Sequence, residues 1–173
     1  MTGLVGFGEF SKSLTSPALR AVAQHWNEVR GTRPIPAWAD LSSTALSPYF
    51  KLLWGFDYDA ATQEFVGRLA GNHIKEWLGA NFLGAKLHDL HPPRVVKEAS
   101  QVLSAVVSIP AISRCSGRLF TIDGRGVPGE CIALPMGNNG VTPNGVLGVS
   151  FYEFPGRSGA IELVHENIQL FRL

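Results

Sequence analysis

The residues of this chain with chemistry to offer are five histidines, two cysteines and one glycine-rich run. His88 and His91 stand three apart, a spacing that lets two imidazoles on one helical turn share a metal ion. Pro92 and Pro93 follow at once and suit a first helical turn, so both histidines precede that helix, and no third ligand lies near them in sequence. They read as structural or surface residues, and no metal site is assigned. Cys115 and Cys131 form either a redox pair or a pair of small buried side chains, and burial is the default for free thiols. Two cysteines are too few for a disulfide scaffold or a four-cysteine zinc site. Gly124-Arg125-Gly126-Val127-Pro128-Gly129 fits G-x-G-x-x-G. A dinucleotide fingerprint needs a helix after it, and Pro128 with Gly129 opens a helix poorly, so this run reads as a turn. No serine sits in a Gly-x-Ser-x-Gly elbow. Asp57 and Asp59 flank a turn instead of pairing as acid and base. These patterns argue against an enzyme.

Composition narrows the class. The 173 residues suit one domain with a core of ordinary size, 45% being hydrophobic and 17% charged. The net charge of +1 comes from scattered residues, with no two of the 15 Lys and Arg adjacent. A nucleic-acid binder shows a basic stripe, so none is expected as a partner. No apolar stretch approaches the ~18 residues that suggest a membrane span. Met1 to Phe10 carries Glu9 and no Lys or Arg, unlike a signal peptide. A cytoplasmic location follows as the default.

The elements that must position these residues are legible from spacing. Residues 1–14, rich in Gly and Ser, read as a flexible lead. Ser16 and Pro17 cap and start a helix with Leu19, Val22, Ala23, Trp26 and Val29 on one face, and Gly31 ends it. That stripe needs a cover, either the domain's own sheet or a second subunit. An irregular connection follows to residue 50, with a short helix over 43–49. Strands are expected over 51–58 and 64–70, joined by a hairpin turn. Short helices over 73–78 and 84–90 lead to a longer one from Pro92 to Val107. Strands follow over 111–122, 128–136 and 146–154. Residues 160–173 carry Ile161, Val164, Ile168 and Phe171 at helical spacing, so the tail over 156–173 could be a helix, and the choice between helix and strand stays open. Strands at both ends with helices between them predict an α+β fold: one antiparallel sheet of five strands, with helices on one face and an N-terminal helical extension. The core spans 51–155 and the extension with its connection 15–50.

That order resembles a PAS domain, and particular segments narrow the resemblance. They are Arg33 to Asp40, Ser47-Pro48-Tyr49, Phe65 to Gly71, Phe82 to Leu87, Glu130 to Met136 and Val146 to Val149. Together they are similar to a bacterial PAS subfamily common in alphaproteobacteria and formerly listed as a domain of unknown function. Ala70-Gly71-Asn72 replaces that subfamily's usual Gly-Thr, and Asn81 stands where Asp is commoner. The resemblance covers roughly residues 17–154.

The resemblance implies a sensory or regulatory role without naming a ligand. The first expectation is a small molecule of unknown identity in an apolar pocket, signalling to a separate protein. The alternative is a ligand-free interaction module. Pocket candidates are Trp54, Phe56, Leu69, Asn72, His73, Trp77, Phe82, Arg114, Leu134 and Ser150. Such domains often dimerise through a leading helix, which makes Leu19, Val22, Trp26 and Val29 the candidate surface of a homodimer. No cofactor is required. Haem stays open as a lesser alternative through His88 or His91, since some PAS domains hold haem by a histidine of this region. The Asn-Cys-Arg-Phe-Leu-Gln type motif of flavin-linked photosensory members is absent.

Overall fold

Strand parity decides how this molecule is built. The computed structural model describes residues 6–78, 81–153, 159–164 and 166–173, with the side chain of Trp77 outside that description. Helices α1 (Phe7–Ser13) and α2 (Pro17–Arg30) come first. Ser16 caps α2 by accepting the Leu19 N–H at 3.4 Å, Pro17 fills its first turn, and Gly31 ends it at φ +58°. Helix α3 (Ser43–Leu46) and a 3-10 turn over Ser47–Leu52 lead to β1 (Leu53–Asp59) and β2 (Glu64–Ala70). Then come α4 (Asn72–Leu78), α5 (Leu87–Leu90) and α6 (Pro93–Ser108). Strands β3 (Ala111–Ile122), β4 (Arg125–Gly137), β5 (Pro143–Tyr152), β6 (Ile161–Leu163) and β7 (Gln169–Arg172) complete the chain.

The strands form one antiparallel sheet in the order β2-β1-β5-β4-β3-β6, with β7 also on β3. Alternate residues point to opposite faces. Ile112, Ile132, Leu134, Met136, Leu147 and Val149 share one cluster with α1 and α2, which defines the outer face. Their neighbours, including Ala133 and Val146, pack with residues of α5 and α6, which defines the inner face. The α+β architecture is therefore the expected one, with the core helices on one face and the N-terminal extension on the other.

Two expectations need correction, and one open choice is settled. The lead over 1–14 is not simply flexible: residues 7–13 form α1, and Phe10 is fully buried, edge-on to Phe171 at 5.3 Å. Its aromatics supply what a Gly- and Ser-rich composition hides. The tail, open between helix and strand from its sequence, forms strands within its described residues. It adds β6 and β7 to the five expected strands, because β3 would otherwise be a sheet edge twelve residues long with unpaired backbone groups. The proposed dimer stripe is also taken. Leu19, Val22 and Trp26 are fully buried against the chain's own sheet, and the Trp26 indole N–H donates to the Pro135 carbonyl at 3.1 Å. Only Val29 is half-buried. An apolar stripe read from sequence needs a cover but does not say whose.

Candidate functional site

The inner face is not filled. Between it and α4–α6 lies a chamber of about 100 Å³. One water needs roughly 10–15 Å³ of such space, so the chamber has room for several waters or one small molecule. Its floor is the sheet: Trp54 and Phe56 from β1, Ser113, Cys115 and Phe120 from β3, Cys131 and Ala133 from β4, Ser150 and Tyr152 from β5. Its roof comes from Ile74 and Leu78 of α4, Leu87 of α5 and Ala99, Val102 and Leu103 of α6, joined by Phe82 and His91. Leu163 of β6 and Ile168 close one side. Among the described residues no Asp, Glu, Lys or Arg lines the chamber.

Each wall has a local cause. Trp54 pairs in register with Gly148, and a Cβ there would lie 1.9 Å from the indole ring. The bare glycine lets the ring lie on the sheet, where its N–H donates to the Ser150 hydroxyl at 2.9 Å, which donates in turn to Cys131 Sγ at 3.3 Å. Phe82 is held by the segment that crosses β2. Gly67 N–H donates to the Ala85 carbonyl at 2.8 Å and Gly84 N–H to the Gly67 carbonyl at 2.7 Å, a crossing so close that a side chain at Gly67 would strike the Phe82 carbonyl. Tyr152 donates its hydroxyl to the His73 carbonyl at 2.8 Å, tying β5 to α4. The tail is pinned by Cys115 Sγ donating to the Glu166 carbonyl at 3.0 Å and by the Arg118–Glu166 ion pair, Nε to Oε1 at 2.6 Å.

Cys115 and Cys131 are direct cross-strand partners, both unoxidised and both facing the chamber. Burial pushes the Cys115 thiol up to about 11, against a smaller pull from its hydrogen bond to Glu166. Burial pushes Cys131 up to about 12, against the Ser150 hydroxyl. Protonated thiols are poor nucleophiles; Cys115 is buried and Cys131 half-buried.

Behind them, on the outer face, stand Arg114 and Glu130. Their ion pair closes at 2.7 Å, and Glu130 is only 3% exposed. Its carboxylate also accepts the Ser16 N–H at 2.7 Å and the Thr15 N–H at 3.1 Å, while Arg114 donates to Gln169 at 2.9 Å. One buried carboxylate thus ties β4 to the start of α2, and its partner ties β3 to β7. Burial alone would push Glu130 up, but the backbone N–H groups of Ser16 and Thr15 and the Arg114 guanidinium hold it below the ordinary carboxylate range.

Four of the pocket residues expected from sequence reach the chamber: Trp54, Phe56, Phe82 and Ser150. Arg114 and Leu134 do not, because each is one residue out of phase and points to the outer face. Leu69 packs with the outer cluster, and Asn72 is exposed beside it at the start of α4. His73 lies outside the chamber wall, and its buried Nδ1 has no partner among the described residues. Trp77's side chain lies outside the described residues, as does Phe154. His88 is exposed, 3.5 Å from Asp89, while His91 reaches the wall. Ser113, Cys115, Cys131 and Tyr152 were missed as a set. Their signal was the alternation of Ser113 and Cys115 with Ile112 and Arg114, and of Cys131 with Ile132.

Among the described residues no helix is long and apolar enough to cross a membrane. The sequence model of one family, described as PAS domain, matches residues 14–151. Two solved structures of RsLOV are similar to this chain. A point variant is 19% identical, with a TM-score of 0.43, covering 65% of this chain and 66% of its own. The d2 variant is 18% identical, with a TM-score of 0.39, covering 66% of each chain. The matched region thus spans just under two thirds of either relative. No curated protein matches the sequence.

Proposed function

This chain belongs to the PAS domain family, and we propose that it is a sensory module whose inner chamber binds a small apolar molecule and whose response passes to a separate protein. The observation that supports this reading is the chamber itself, an apolar space left open in a molecule whose other face is tightly filled. Binding there has a route outward. Cys115 and Cys131 touch the chamber, while their chain neighbours Arg114 and Glu130 hold β7 and the start of α2. A molecule that spreads β3 from β4 therefore bears on both chain ends of the domain. It shifts the population only to the extent that it binds the spread state better.

The test is native mass spectrometry of the purified protein beside its ultraviolet–visible spectrum. The reading predicts a co-purifying mass of a few hundred daltons or less, without a Soret or flavin band. An apo mass that no small apolar compound shifts would transfer the weight to a ligand-free interaction module. The same spectra report oligomeric state, and a dimer would have to use a surface other than Leu19, Val22 and Trp26.

A further inference from the structure

The chamber floor carries a serine hydroxyl to which the described residues supply no hydrogen bond, and it narrows the ligand. Ser113 is only 6% exposed and sits on the inner face of β3, in register with Ala133. It lines the chamber, and among the described residues its hydroxyl makes no hydrogen bond. The neighbouring polar groups are occupied. Ser150 accepts from Trp54 and donates to Cys131, Cys115 donates to Glu166, and Tyr152 donates to His73. A buried hydroxyl is normally satisfied by protein or by ordered water, and a water needs two to four polar partners to stay. Ser113 faces Ala133 across the strand pair, and Cys115 is the next inward residue of its own strand, which offer a water little.

Resting on the reading of the chamber as a ligand site, we infer that Ser113 is the orienting contact of the ligand. The ligand is a small neutral molecule of monocyclic size, apolar except for one hydrogen-bonding oxygen, such as a phenol, a ketone or a short alcohol. Neutrality follows from the walls. Among the described residues the lining holds no Lys, Arg, Asp or Glu, and His91 is its one basic side chain, so the chamber offers little to compensate a buried charge. The oxygen follows from the Ser113 hydroxyl, which can donate or accept. The size is bounded by the volume: an engineered dry cavity of ~150 Å³ holds benzene, and this chamber of about 100 Å³ takes one ring at most.

The experiment uses a matched pair of probes, phenol and toluene, of nearly the same shape. Binding to the full chain is measured by calorimetry, with thermal unfolding of the apo protein as a second readout. The expected result is that phenol binds about 5–10-fold more tightly than toluene, the ratio for one neutral hydrogen bond made in a dry site after desolvation of the probe. Ser113→Ala should bring that ratio to about one while raising the melting temperature of the apo protein, because it removes an unpartnered buried hydroxyl. Ser150→Ala, whose hydroxyl is already engaged with Trp54 and Cys131, should keep most of the preference for phenol. If toluene binds but phenol shows no advantage, or if Ser113→Ala keeps the advantage or lowers the melting temperature, the inference about Ser113 fails and the chamber reading stands. If neither probe binds, both fail.

Discussion

The two faces of one sheet are built from the same strands and behave oppositely. On the outer face, Ile112, Ile132, Leu134, Met136, Leu147 and Val149 meet Trp26 and Phe10 with side chains wholly out of solvent. On the inner face Ser113, Cys115, Cys131, Ala133, Gly148 and Ser150 are small and stand among the large rings of Trp54, Phe56, Phe120 and Tyr152, and the helices above them leave a chamber. A period of two in side-chain size therefore separates structure from function within single strands. The outer face holds the fold and the N-terminal extension, and the inner face is free to be under-filled. Core packing is close to crystalline in density, so an under-filled apolar layer costs stability, a cost that the ligand proposed above would offset.

Substitutions of one size on the two faces break or sharpen this contrast. Trp26→Ala on the outer face should cost roughly 3–5 kcal/mol, since it leaves a large cavity and strands the Pro135 carbonyl. Leu134→Ala belongs to the same class. Leu103→Ala, beside a space that already exists, should cost clearly less, about 2 kcal/mol, because fewer contacts are lost. Urea unfolding of both leucine variants measures the difference, and equal costs would erase the asymmetry.

Glu130→Ala should cost about 3 kcal/mol by stranding Arg114 and two backbone N–H groups at the start of α2. The ion pair also carries a pH signature. Glu130 titrates below an ordinary carboxylate in the folded state, so its stabilisation is present above the unfolded value of about 4.3 and is lost as pH falls through the folded value. Urea midpoints of wild type and Glu130→Gln should differ by a constant amount above about pH 5 and converge in more acid solution. A gap that widens on acidification would reverse the sign assigned here.

Gly148→Ala works on the inner face alone. Its Cβ would press on the Trp54 ring, driving the indole off the sheet and into the chamber. The expected cost is about 1–3 kcal/mol from overpacking, together with loss of toluene binding. Retained binding would mean that Trp54 does not set the chamber's size. The smallest effect is chemical. With Cys115 at about 11 and Cys131 at about 12, a disulfide reagent at pH 7.5 should label both thiols far more slowly in the folded protein than in urea. Fast labelling of the native chain would show that the inner face is open to solvent.

Much of this was legible from the sequence. Ser16, Pro17 and Gly31 bounded α2, and the strands over 64–70 and 111–122 were read to the residue, because caps and alternation are local signals. Trp54, Phe56, Phe82 and Ser150 were found as chamber residues. The misses have a common cause. Arg114 and Leu134 were placed on the wrong face because a strand's parity relative to the core depends on which helix covers which side, a tertiary fact. Leu19, Val22 and Trp26 showed an apolar stripe, and only the fold reveals that β4 and β5 cover it. Ile161, Val164, Ile168 and Phe171 kept helical spacing, yet the open edge of β3 took the segment as strand. Phe10 was hidden in a Gly- and Ser-rich lead.

The most direct test of the account is a methyl-resolved nuclear magnetic resonance titration of the full chain with toluene. The prediction is saturable shifts at Val102, Leu103 and Leu119, which line the chamber, with Leu134 and Leu147 on the outer face unmoved. No saturable shift at any of these methyls, or shifts confined to the outer pair, would contradict the claim that the inner face is the binding face.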